Sequence, residues 1–172
     1  MASIHLETFI AAPAELCFDL CLNVNTHVVL GHGRAVAGVT SGPLRLGDTV
    51  TWEATHFLVR QRLTSKIVAY ERPRLFVDEM QRGAFKHWQH AHRFLARDGG
   101  TLMVDDVSMA SPLGPLGRVV DALLIKGYMT RFLLRHNEGF KRMAESEAGH
   151  PRLPNDNEQK VVADPGPRFP AD

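Results

Sequence analysis

Hydrophobic and polar residues alternate along much of the first two thirds of the chain, with the period of two that is typical of half-buried β-strands. The first such segment covers residues 4–10. The others cover residues 34–40, 49–59, 63–70, 75–80, 85–95 and 101–110. The turns between them are short, and Asp98-Gly-Gly100 is typical of a hairpin. The pattern therefore predicts a strongly curved antiparallel sheet of about six to seven strands.

Helical spacing occurs in two places. Pro13 is a favourable first helical residue, and a short helix from it is predicted to place Cys17 and Cys21 on one side, with a second short helical turn at residues 26–30. After residue 117 the apolar positions recur with helical period at Val120, Leu123, Leu124, Tyr128, Phe132, Leu133, His136, Phe140 and Met143. This spacing predicts a C-terminal helix of about 25–30 residues. Its apolar stripe must be buried against the sheet.

The last part of the chain has a different composition. Five of its ten prolines lie between residues 149 and 172, among many polar residues. Such a segment buries too little apolar surface to fold by itself. We therefore expect a single domain over residues 1–146 and a Pro-rich tail, disordered or loosely packed, over residues 147–172.

Charge and composition argue against several classes of function. The 20 basic and 19 acidic residues leave a formal net charge of +1, which provides no strong field for attracting nucleic acid. The first residues lack the basic segment of a signal peptide, and no apolar run approaches the roughly 18 residues of a membrane span. We expect a soluble, cytoplasmic protein without nucleic-acid binding or integral membrane association. The sequence leaves a homodimer open.

The two cysteines are not expected to form a disulfide. Residues four apart on a helix have Cβ atoms about 5–6 Å apart, whereas a disulfide requires about 3.5–4.5 Å. Cys17 and Cys21 are therefore predicted to be small apolar residues on the buried face of the first helix.

Several segments together resemble the SRPBCC/START-like superfamily, and in particular its polyketide cyclase/dehydrase-like members. They are RAVAGVTSG at residues 34–42, GDTVTW at 47–52, residues 64–73, HAHRF at 90–94, GGTLM at 99–103 and SPLGPLG at 111–117. The resemblance covers about residues 3–145. It implies an α+β helix-grip fold, in which the curved sheet wraps around the long C-terminal helix, with two short helices after the first strand. It also implies an internal cavity for a hydrophobic small molecule.

Strand alternation selects the residues of that cavity. Residues two apart in a strand share a face, so Trp88, His90, His92 and Phe94 are predicted to point inward together. By the same argument Trp52 and His56 point inward. The candidate acid/base residues are His56, His90, His92 and Asp105. The candidate ligand-binding residues are Trp52, His56, Trp88, His90, His92, Phe94, Met103, Leu124, Tyr128 and Phe132.

These histidines are open to several interpretations. They could satisfy one another's hydrogen bonds within a mixed interior, orient a ligand, or act as acid and base on a carbonyl or enol. A zinc site built from His56, His90 and His92 is a further alternative. We nevertheless expect no cofactor. His27, His32 and His87 are predicted to be surface or loop residues, and His136 to close one end of the cavity.

Binding or transport of a hydrophobic or aromatic small molecule is the preferred function. The first alternative is a polyketide cyclase, aromatase or dehydratase-type enzyme that uses the cavity histidines and Asp105. The second is a partner-binding module without a ligand. The sequence does not decide whether the protein is an enzyme.

Overall fold

The computed structural model describes residues 1–31, 33–56, 58–112 and 124–149, and of His56 it describes the backbone alone. The strands are β1 (Ala2–Ile10), β2 (Arg34–Gly38), β3 (Thr49–His56), β4 (Val59–Glu71), β5 (Leu75–Arg82), β6 (His87–Arg97) and β7 (Gly100–Ala110). The helices are α1 (Ala14–Cys21), α2 (Val24–Val29) and α3 (Lys126–Gly149). The predicted order of one strand, two short helices, a run of strands and one long helix is confirmed.

The strands form one antiparallel sheet with the order β1-β7-β6-β5-β4-β3-β2. Its curvature has local causes, because the register shifts between Ala35 and Ala37 on β2 and twice along β4, and bulges of this kind bend a strand. The predicted hairpin joins β6 to β7, and Gly99 in its turn adopts a positive φ of +76°, a conformation that glycine reaches at no steric cost.

The register places chemically active residues opposite one another. His90 on β6 lies across from Asp78 on β5. His92 on β6 lies across from Asp105 on β7. Directly opposed residues of an antiparallel pair project from the same face of the sheet. Three adjacent strands therefore gather these four side chains on the concave face.

The helix α3 packs across the concave face. Its buried residues are Leu133, Asn137, Phe140 and Ala144, spaced by four, three and four positions as one helical face requires. Near its end, Glu145 accepts a hydrogen bond of 2.9 Å from the backbone N–H of Ala11. This contact ties the end of α3 to the segment between β1 and α1.

Two groups of buried apolar residues lie beneath the helices. At the α1 end, Phe18 contacts the rings of Phe76 and Phe94 edge-on, with each pair of centroids 5.6 Å apart. At the other end, Trp88 and Leu133 pack in a smaller group. The space between these two groups is only partly filled by side chains.

Cys17 and Cys21 are both buried and are free thiols, as predicted. None of the helices in the described part of the chain combines the length and apolar character that crossing a bilayer requires. Several predictions lie outside the described residues: the position of His32, the helical positions Val120 and Leu123, most of the SPLGPLG segment, and the tail from residue 150. The helix α3 extends to Gly149, slightly beyond the predicted domain boundary.

Candidate ligand-binding cavity

A cavity of about 410 Å³ lies between the concave face of the sheet and α3. Its wall is mainly apolar and aromatic. Trp52, Phe76 and Trp88 contribute from the sheet, and Tyr128 and Phe132 contribute from α3. The volume falls in the range of small-molecule sites, about 300–1,000 Å³. The exposed residues Arg62, Ala84 and Pro112 also line it, so the cavity opens at the end of the sheet where β4 begins and β5 ends.

A connected group of polar side chains lies in and behind one part of this wall. Asp105 is 1% exposed and accepts hydrogen bonds at the same oxygen from two imidazoles. His90 donates from Nε2 over 3.1 Å, and His92 is in contact through Nδ1 at 2.8 Å. Because an ionised carboxylate can only accept, these contacts place an N–H of each ring on the side of Asp105.

The helix supplies a third donor to the same carboxylate. Asn137 Nδ2 donates to the second oxygen of Asp105 over 2.6 Å and lies 3.3 Å from Thr8 Oγ1. Burial alone would raise the pKa of Asp105, but the hydrogen bonds from His90 and His92 hold it below its ordinary value. Asp105 is therefore a buried carboxylate that joins β6, β7 and α3.

His92 lies between two carboxylates. Its Nε2 is 3.6 Å from Asp78 Oδ2, and its Nδ1 contacts Asp105 on the other side. Cys21 Sγ is 3.9 Å from the same Nδ1. Burial would lower the pKa of His92, yet the sulfur of Cys21 and the carboxylates of Asp105 and Asp78 raise it well above its ordinary value. Burial also raises the pKa of the Cys21 thiol.

Two further histidines line the cavity, and their rings stack on each other. The rings of His27 and His136 are parallel to within 3°, with centroids 5.2 Å apart. His27 Nε2 donates to the carbonyl of Cys21 over 2.6 Å. Burial lowers the pKa of His27 to about 4, and burial together with the neighbouring His27 lowers the pKa of His136 to about 3. Both rings are therefore neutral at pH 7.

The structure brings most of the predicted site residues together. Those that line the cavity are Trp52, Trp88, His90, His92, Tyr128 and Phe132. Asp105 lies directly behind His90 and His92 and is bonded to both. His136 also lines the cavity.

Other predicted residues lie elsewhere. Phe94 and Met103 point inward, but they are packed in the core beneath α1 and do not line the cavity. Leu124 is 66% exposed and lies outside the wall. The backbone of His56 ends β3, and its side chain lies outside the described residues.

Several polar residues in or beside the cavity were not among the predicted site residues. His27 was expected at the surface or in a loop, but it lies on α2 and lines the cavity. Asp78 was not among the predicted site residues, yet the register of β5 and β6 places it opposite His90 on the same face of the sheet. Asn137 carried a usable signal, because it is a polar residue at helical spacing from Leu133 and Phe140 and so belongs to their buried stripe.

Comparison with solved structures gives the fold an independent reference. Protein TTHA0849 from Thermus thermophilus superposes with a TM-score of 0.70 at 14% identity, covering 86% of this chain and 99% of that one. The chain therefore has the helix-grip fold. The predicted resemblance is therefore confirmed at the level of the fold.

Two further helix-grip structures are plant proteins. The ginseng major latex-like protein 151 from Panax ginseng has a TM-score of 0.63 at 13% identity, covering 83% of this chain and 97% of that one. Norcoclaurine synthase from Thalictrum flavum has a TM-score of 0.61 at 13% identity, covering 83% and 85%. No family model and no curated protein matches the sequence. At these identities the likeness extends to the helix-grip fold and not to the residues of the site.

In this helix-grip protein the polar side chains of Asp78, His90, His92 and Asp105 can serve three purposes. His90 and His92 can hydrogen-bond to a ligand oxygen. The His92–Asp105 contact fixes the orientation of an imidazole, as a general acid or base requires. Asp78, His90 and His92 also carry ligand atoms that all lie within 4.8 Å of one another, which is close enough to surround a metal ion.

Proposed function

We propose that the protein binds a hydrophobic small molecule, aromatic in part, in the cavity between the sheet and α3. The observation that carries this proposal is the cavity itself, whose wall is mainly apolar and aromatic and includes the polar side chains of Asp78, His90 and His92. A cavity of this kind favours a ligand with one hydrogen-bonding group, such as a carbonyl or a phenol, on an otherwise apolar skeleton.

The distribution of aromatic side chains supports the same ligand class. Trp52 and Trp88 are the only tryptophans in the chain, and both line the cavity. Flat indole and phenol rings provide large contact areas and prefer offset or edge-on contacts with other rings. The ligand is therefore expected to place its ring between the sheet and Tyr128.

The test uses these tryptophans as reporters. Native mass spectrometry of protein purified from its host identifies the candidate compound, and the compound is then titrated while intrinsic fluorescence is recorded. Trp52→Ala is expected to weaken binding about tenfold or more through lost apolar contact, of the order of 1.5–3 kcal/mol for a buried side chain.

Leu134→Ala is the matched control. Leu134 lies on α3 but is 50% exposed, and it does not line the cavity, so its removal should leave affinity unchanged. Unchanged affinity in both Trp52→Ala and Trp88→Ala would place the ligand elsewhere.

Acid–base catalysis is a second candidate, favoured by the contact of 2.8 Å between His92 and Asp105. Norcoclaurine synthase has the same fold, which makes an enzyme compatible with this architecture but does not transfer its reaction. For a cyclase or dehydratase, His92→Ala should abolish turnover of the identified compound while binding persists. Full turnover in this variant would remove His92 from the chemistry.

A partner-binding role without a ligand is less favoured. Such a protein is expected to fill its interior with side chains, whereas this one has a cavity of about 410 Å³. A cytoplasmic location and a homodimer stay predictions.

A further inference from the structure

We propose that Asp78, His90 and His92 form a binding site for a divalent transition-metal ion of the zinc class, with one coordination position directed into the cavity. The three residues come from adjacent strands β5 and β6 and project from the same face of the sheet. One ligand atom from each lies within 4.8 Å of the other two. This proposal goes beyond ligand binding and does not depend on it.

The separations suit a metal ion. Zinc binds imidazole nitrogen and carboxylate oxygen at about 2.0–2.2 Å, so two ligands of one tetrahedral ion are roughly 3.3 Å apart. His92 Nε2 and Asp78 Oδ2 are 3.6 Å apart, close to this separation, and the ligand atom of His90 lies within 4.8 Å of both, so the His90 side chain has to move inward to complete the site. A metal ion would take the place of the Nε2 proton of His92.

Asp105 completes the arrangement from behind. It contacts His92 Nδ1 at 2.8 Å, and this contact fixes the ring orientation and leaves Nε2 toward Asp78. A carboxylate behind a metal-bound histidine commonly sets the tautomer and raises the basicity of the ligand. Asn137 holds the second oxygen of Asp105 at 2.6 Å, so the supporting carboxylate is itself held in place.

The donor set also selects the class of metal. Two imidazoles and one carboxylate favour zinc and its first-row neighbours, whereas calcium and magnesium prefer oxygen ligands alone. The negative charges of Asp78 and Asp105 together match a divalent ion. Because all three ligands line the cavity, the remaining coordination position is available to water or to an oxygen of the cavity ligand.

The first experiment measures zinc binding without any organic ligand. The untagged full-length chain is stripped with a chelator, dialysed, and titrated with Zn²⁺ by calorimetry at neutral pH. One equivalent is expected to bind saturably. Asp78→Asn is expected to weaken this binding by at least tenfold, because it removes the only charged ligand of the site.

Glu79→Gln is the matched control. Glu79 is the next residue on β5, so strand alternation turns it to the opposite face of the sheet. The control removes the same charge one position away and should bind zinc like the wild type. Absence of saturable binding, or equal affinity in Asp78→Asn and the wild type, would overturn the proposal.

A second measurement avoids the folding of variants altogether. X-ray absorption of the zinc-loaded wild type is expected to show two imidazoles with further oxygen ligands at about 2.0–2.1 Å and no sulfur. Sulfur from Cys21, or three and more imidazoles, would assign the metal to a different set of residues and overturn the proposal. Ligand titrations in the presence of chelator test the proposed function separately, so either proposal can fail alone.

Discussion

The same pair of residue types, an aspartate and a histidine, forms clusters on both faces of β7, and the two clusters differ in almost every physical respect. The inner cluster is Asp105 with His90 and His92, and its carboxylate is 1% exposed. The outer cluster is Asp106 with His5 and Arg93. In the outer cluster the His5 side chain is 59% exposed and that of Asp106 is 38% exposed.

The difference shows that similar contacts of two adjacent strand residues can contribute very differently to stability. His5 Nδ1 is 2.6 Å from Asp106, shorter than either histidine contact of Asp105. Water nevertheless competes for both outer partners, and exposed ion pairs contribute little. In the inner cluster an unpaired charge would lose its hydration without replacement. Burial, rather than distance, therefore sets the importance of each cluster.

The largest expected effect comes from replacing Asp105 of the inner cluster, and the same replacement at Asp106 of the outer cluster is its comparison. Asp105→Asn should lower the free energy of unfolding by about 3–5 kcal/mol, because it leaves buried donors facing an amide. Asp106→Asn should lower it by about 0–1 kcal/mol. Urea denaturation in the presence of chelator measures both. Equal losses in the two variants would contradict the ranking of the clusters by burial.

A smaller loss of stability is expected when the pH is lowered. His136, with its pKa lowered to about 3, does not bind a proton that the unfolded chain binds below about pH 6.5. Its contribution to stability is therefore complete above pH 6.5 and declines as the pH falls. The decline amounts to roughly 1–2 kcal/mol between pH 6.5 and 5.

The variant His136→Phe removes this proton uptake. Its stability should fall less steeply over the same pH range, measured by urea denaturation at several pH values. Comparing the slopes separates the effect of His136 from that of His92. The pKa of His92 is raised, so its contribution to stability is complete below about pH 6.5 and is lost only as the pH rises through the raised pKa. Parallel slopes in the wild type and the variant would show that His136 is protonated in the folded state.

The smallest effect is expected from His5→Ala. The hydrogen bonds to Asp106 and Glu7 raise the pKa of His5, so its stabilising contribution is complete below pH 6.5 and is lost as the pH rises through the raised pKa. The side chain is largely exposed, and thermal melting at pH 8 should hardly differ between variant and wild type. A large loss there would mean that the outer cluster is a structural element in its own right.

Strand alternation predicts the face on which a side chain lies, and this was sufficient for Trp88, His90 and His92. It does not predict the position along the cavity. Phe94 shares their face, but α1 covers that end of the sheet and Phe18 packs against it. A pattern confined to one strand contains no information about which helix lies above it.

The site also depends on contacts between residues far apart in sequence. Asp78 meets His90 through the register of β5 and β6, and Asn137 meets Asp105 across 32 positions of sequence. Register is set by the whole sheet and its bulges. The sequence alone therefore allowed the long helix and the strands to be predicted more completely than the partners of Asp105.

The outer cluster has a further consequence through its position at the border of the sheet. Among the described strands, β1 pairs only with β7, so it forms a border of the sheet, the kind of site where a strand from a second molecule can add. Charged side chains on such a border discourage this addition. His5 and Glu7 lie on β1 and are both more than half exposed. We therefore expect residues that hardly stabilise the folded chain to disfavour the edge-to-edge association of separate molecules.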